Sequence, residues 1–289
     1  MKARAGFAGL AAVLSVLWAC AVFAGGLTVT VSIVPQKYFV DRIGDGLVDV
    51  SVMVLPGAEP AAYEPKPRQM AALAKAAIYF AVGVPFESVW LPRIAAANRN
   101  MRVVRTEDGI EKMPIEGMPV AGEEKHGILD PHVWLSPPLV KIMARNIFSA
   151  LVEADPGNEA AYQKNYNRFM GEIDVLDARI RDIFTKNTEN REFMVFHPAW
   201  GYFAKAYGLT QVPIEEQGKA PGPRDLATLI DHARARGIRV IFAQPQFSQK
   251  SAEAIAHDIG GQVVKVDPLA YAWADNLYQV AWAFEAALK

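Results

Sequence analysis

Cysteine is all but missing from this chain of 289 residues, with Cys20 the single example. A lone cysteine closes no internal disulfide, and a site built from several thiolates is excluded with it. No sign of charge dominates either: 30 basic residues face 31 acidic ones, for a formal net charge of −1. That balance, without a basic stripe, speaks against nucleic acid as a partner. The common catalytic signatures are missing as well. There is no HExxH, no GxSxG, no P-loop and no glycine-rich dinucleotide fingerprint.

What is present marks an ordinary folded protein, since 52% of residues are hydrophobic and 21% charged. The length allows two domains, each with its own core. Residues 1–24 stand apart. Lys2 and Arg4 give a positive start, no further charge occurs before Lys37, and the apolar run 7–24 ends in Val22-Phe23-Ala24. This pattern predicts a signal peptide cleaved before Gly25 and export to the periplasm. An uncleaved anchor is the alternative, because the run is nearly long enough to span a membrane. Cys20 in "LWAC" offers lipidation as a second alternative, against which Trp18 is an awkward neighbour. Once 1–24 are removed, no cysteine remains.

From Leu27 short β-rich runs alternate with helical ones: "LTVTVSI", "YFVDRIG", "VDVSVMVL", "RQMAALAKA", "AIYFAVG". Such alternation predicts a parallel sheet covered by helices on both faces. The polar stretch 106–130 shows no periodicity and reads as a long loop. After Asp155-Pro156, an N-cap followed by proline, apolar residues recur at Tyr162, Tyr166, Phe169, Ile173, Leu176, Ile180 and Ile183. Steps of four and three predict one helix over 156–186, roughly 40 Å long at 1.5 Å rise per residue. The α/β pattern then restarts with "FMVF", "QVPI", "RVIFA" and "VVKV". The expected fold is α/β, with two lobes, each a parallel sheet covered by helices, joined by one long rigid helix. The boundaries are 25–154, 155–190 and 191–289.

Three polar residues end strands or loops in separate parts of this pattern. His132 lies in "LDPHVWLSP", where prolines fix the turn around it; His197 follows "FMVF"; Asp267 follows "VVKV". Singly, Asp267 reads as a cap and His197 as a hydrogen-bonded histidine at a helix start. Together, two imidazoles and a carboxylate facing a cleft suit zinc or manganese. Open α/β sheets bind ligands at the carboxyl ends of their strands, which is where these residues fall. His232 and His257 sit among charged neighbours on amphipathic helices and read as solvated faces. His126 lies in a polar loop.

Five stretches, "LDPHVWLSP", "FHPAWGYFAKAYGL", "QGKAPGPRDLATLI", "IFAQPQFS" and "VVKVDPLA", resemble in content and order the metal-binding solute-binding proteins of bacterial ABC transporters. These are the periplasmic zinc and manganese receptors of the ZnuA-like type. The resemblance runs from about Leu27 to the C-terminus. It implies a metal held in the interlobe cleft by His132, His197 and Asp267, and delivered to a membrane permease by a monomer that is not an enzyme. Zinc is the expected ion, with manganese the alternative.

The resemblance fails at one position. The family's first ligand is a histidine in a loop of the form "GAxPHxYEP", and here the loop reads "GAEPAAYEP", with Ala61 at the histidine's place. A methyl group binds no metal. His126, Glu59 or solvent would have to supply the fourth ligand. Two rival readings stay open. Three ligands plus water is the open geometry of catalytic zinc, with Glu59, Glu64 and Glu216 as carboxylates to watch. An adhesin or partner-binding module would make any metal incidental.

Overall fold

A computed structural model describes residues 26–115, 129–185, 190–215, 219–247 and 250–289. Residues 1–25, where a signal peptide with Cys20 is expected, and His126 and Glu216 lie outside these residues.

In the first lobe β1 (Leu27–Val31), α1 (Val34–Gly44), β2 (Val48–Val52), α2 (Pro67–Ala72), β3 (Ile78–Ala81), α3 (Pro85–Ala97) and β4 (Arg102–Arg105) follow one another. Their strands pair in parallel in the order β2-β1-β3-β4. β3 is buried along its whole length, as a strand covered on both faces must be. Proline at the start of α2, α3 and α4 (Pro137–Ala154) occupies positions whose N–H would bond nothing within the helix.

The long helix α5 (Glu159–Thr185) has 27 residues. It is preceded by a 3-10 turn at Pro156–Asn158, so the helix starts three residues later than the spacing suggested. The Asp155 side chain caps no backbone N–H of that turn: its carboxylate accepts instead from Asn158 Nδ2 and Tyr162 OH, both at 2.7 Å. The buried face carries Tyr162, Phe169, Ile173, Leu176, Ile180 and Ile183, as the periodicity requires. Tyr166 lies at the margin and stacks on Phe148 at 4.7 Å.

The second lobe repeats the pattern with β5 (Glu192–Val195), α6 (Gly201–Tyr207), β6 (Thr210–Pro213), α7 (Pro223–Ala235), β7 (Val240–Ala243), α8 (Lys250–Asp258), β8 (Gln262–Lys265) and α9 (Trp273–Ala287). Its parallel order is β6-β5-β7-β8. One continuous core runs from Val29 through α5 to Phe193, Phe242 and Phe284, so it crosses from lobe to lobe. A separate cluster around Ile214, Ile230 and Ile241 fills the far side of the second sheet. Among the described residues no helix is long and apolar enough to cross a membrane.

Candidate metal centre

The carboxyl ends of strands from both lobes converge on one cavity of about 210 Å3. Glu59, Pro60 and Ala61 reach it from beyond β2, Val84 and Pro85 from β3, His197 from β5, Glu215 from β6, and Gln246 and Phe247 from β7. His132 and Trp134 enter from the turn before α4. His197 stands where the chain leaves the central strand β5, between neighbours β6 and β7. That is the crevice where open α/β sheets bind ligands.

His132 is buried, and Asp130 holds it twice. Asp130 Oδ1 accepts from the His132 backbone N–H at 2.9 Å and meets the ring Nδ1 at 2.7 Å. Asp130 is fixed in turn by the second lobe. Burial raises the Tyr202 phenol to about 12, so it keeps its proton and donates to the Asp130 carbonyl at 3.0 Å. Gly201 allows this approach: a side chain there would meet Met113 Cε at 2.9 Å and Asp130 Oδ2 at 3.1 Å.

His197 is braced in a parallel way. Gln244 accepts from its backbone N–H at 3.1 Å and donates to its carbonyl at 2.7 Å. Its Nδ1 meets the buried Glu215 Oε1 at 3.0 Å, and its ring stacks on Phe247 at 4.6 Å. In the tautomer that donates Nδ1–H to its carboxylate, each ring would turn a bare Nε2 toward the other. The two Nε2 atoms are 3.4 Å apart. Burial, the larger influence, lowers the proton affinity of His132; Asp130 opposes it. That leaves the ring free to act as a ligand.

Asp267 is not brought into this pair. Its Oδ1 accepts from Gln246 Nε2 at 2.8 Å and from the Leu269 N–H at 2.9 Å, while its carbonyl accepts from Asn276 at 2.8 Å. Gln246 and Leu269 line the cavity, and Asp267 is not among its lining residues. Glu59 does line it. Burial raises its carboxyl above the usual value, His197 lowers it, and Glu215 raises it further. Ala61 lies on the same wall, as the loop motif predicts, whereas Glu64 is exposed and is not part of that wall. Among the described residues no three histidine, cysteine, aspartate or glutamate side chains are gathered closely enough to hold an ion. His257 is exposed, and His232 pairs with Glu192 at 3.1 Å instead of standing free in solvent.

The sequence reading missed Glu215 and Asp130. Both had a signal. Glu215 lies two residues past β6, the same strand-end position that singled out His197, and Asp130 is the aspartate of "DPH" itself.

The family of zinc-uptake complex component A, periplasmic (ZnuA), matches residues 29–281. The high-affinity zinc uptake system protein ZnuA of Bacillus subtilis (strain 168) is 32% identical over 261 residues, covering 84% of this chain and 78% of that protein. A crystal structure of ZnuA superposes with a TM-score of 0.86 at 42% identity, over 92% of this chain and all of that one. A zinc-bound ZnuA deletion mutant gives 0.85 at 42% identity, over 92% of this chain and 99% of that one. With the family match, the sequence identity and the fold in agreement, this chain belongs to the ZnuA family, the periplasmic zinc-uptake solute-binding proteins of ABC importers, which bind metal and are not enzymes.

Proposed function

We propose that this protein captures one zinc ion in the interlobe cavity, with His132 and His197 as its first two ligands, and hands it to a membrane permease. The observation that carries this reading is the 3.4 Å between the two Nε2 atoms. Two imidazole nitrogens bound at 2.0–2.1 Å to a tetrahedral zinc stand about 3.4 Å apart. The pair is therefore spaced for one ion before any ion arrives. Carboxylates behind both rings hold the ring orientation, as the outer partners of zinc-binding histidines commonly do.

Glu59 is the carboxylate we assign as third ligand once its loop moves toward the histidine pair, since it lines the same cavity. Asp267 then supports the wall through Gln246 and Leu269, both of which bond its Oδ1. His126, the other candidate from sequence, lies outside the described residues. Nitrogen-rich ligation favours zinc over manganese. We further propose that the chain acts as a monomer, without nucleic acid, after removal of residues 1–24; intact mass of the exported protein tests the cleavage site.

Calorimetric titration of metal-free protein with zinc tests the site. One ion per chain is expected, and His197→Ala should bind at least about 10-fold more weakly, a loss of about 1.4 kcal/mol or more. An unchanged titration in that variant would remove His197 from the site.

A further inference from the structure

We propose that the chain takes up its zinc together with a small, neutral nitrogen heterocycle of the imidazole type, which sits beside Ala61 and completes the coordination of the ion. This rests on the reading that His132 and His197 hold the ion.

The first argument is volume. The cavity measures about 210 Å3. One water needs only about 10–15 Å3 of such space, and an apolar cavity of about 150 Å3 admits a benzene ring. An ion with a water or two uses a small part of this cavity, while a five-membered ring fits beside the ion.

The second argument is the wall. Apart from the two histidines, it is built largely of the Ala61 methyl, Trp134, Phe247, Leu269 and several prolines. Its polar groups, from the two histidines, Glu59, Glu215 and Gln246, are few, so most of the surface gives a water no partner. A planar ring instead gains by leaving solvent, and ligand sites of this size are commonly apolar with a few placed polar groups.

Charge then selects the kind of donor. Asp130 and Glu215 are buried behind the histidines, and Glu59 lies on the wall. Three carboxylates already offset a doubly charged cation. An anionic ligand would add one more buried negative charge without a partner, whereas a neutral donor adds none. Among neutral donors, imidazole nitrogen suits zinc well. Gln246, on the same wall, spends its amide nitrogen on Asp267 and keeps a buried Oε1 without a hydrogen-bond partner. A rotation of that side chain about its last bond would be needed to turn the oxygen toward the ring's single N–H.

The test titrates the full mature chain with zinc, with and without millimolar imidazole, and reads stoichiometry by native mass spectrometry. We expect a complex of one chain, one zinc and one imidazole, and zinc binding tightened about 10-fold or more after allowing for zinc-imidazole complexes in solution. Ala61→His should bind zinc tightly with no imidazole effect, and Ala61→Leu, which fills the space with hydrocarbon, should also lose the effect. Zinc bound without any ternary complex, or imidazole that only competes, overturns this proposal and leaves the metal site standing. A chain that binds no zinc under either condition overturns the metal-site reading itself.

Discussion

The indole N–H of Trp273 donates to the main-chain carbonyl of Trp134 at 2.7 Å, across the two lobes. Trp134 returns the bond one step further on, donating its own indole N–H to the Pro268 carbonyl at 2.8 Å. Both rings are buried. The segment after Asp267 is thus tied to the first lobe beside His132, and it cannot swing away without breaking a buried hydrogen bond. The two tryptophans argue that it stays, and that the loop bearing Glu59 and Ala61, which has no regular secondary structure, does the moving.

Trp134→Phe tests the tie. It keeps a ring in the core but leaves the Pro268 carbonyl unpaired, at a cost of about 1–3 kcal/mol. A urea midpoint lowered accordingly is expected; an unchanged midpoint would mean that solvent replaces the bond.

Lobe motion should be small. The continuous core through α5 and the tryptophan pair oppose a wide hinge. Solution scattering should give the same radius of gyration with and without zinc. A clear decrease on binding would show that the lobes do close.

Glu215 should matter for affinity out of proportion to its distance from the ion. It touches His197 through Nδ1, on the side away from the cavity centre. Glu215→Ala should weaken zinc binding about 10- to 100-fold, the range for loss of a second-shell partner. Glu215→Gln, which keeps an acceptor but drops the charge, should fall between that variant and the parent. If both variants bind zinc like the parent, Phe247 and Gln244 alone orient the ring.

Much of this was legible from residues. Period-two and period-3.6 patterns are local, so both sheets and α5 could be read, and His132 and His197 were marked by their places at a turn and a strand end. What could not be read was direction. Asp267 stands at a strand end, and the partners of its Oδ1, Gln246 and Leu269, are set by residues 21 apart and two apart together. Asp155 likewise has the sequence of an N-cap, yet the hydroxyl of Tyr162 one helical face away claims its side chain. Competing partners of this kind arise only in three dimensions. Chain ends of strands are visible in one.

Acid should weaken both the fold and the site, with a sign set by His132. Burial holds this imidazole below its ordinary value of about 6.5, with Asp130 pulling in the opposite direction. In the unfolded chain the ring recovers its ordinary value. Between the two values the unfolded state binds more protons than the folded one, so stability rises with pH across that window. The contribution is complete above about 6.5 and is lost as pH falls from there through the folded value. The slope from one such group is at most about 1.4 kcal/mol per pH unit. Zinc binding follows the same direction for a separate reason: imidazole must be free of its proton to ligate. His132 already meets that condition at neutral pH, so affinity should level off there and fall in acid, by up to about 10-fold per pH unit for each histidine that takes up a proton. Titrations across about pH 5 to 8 measure this, and His132→Ala should remove one histidine's share of the slope. An affinity that stays flat over that range would mean that carboxylates hold the ion and that the 3.4 Å imidazole pair does not.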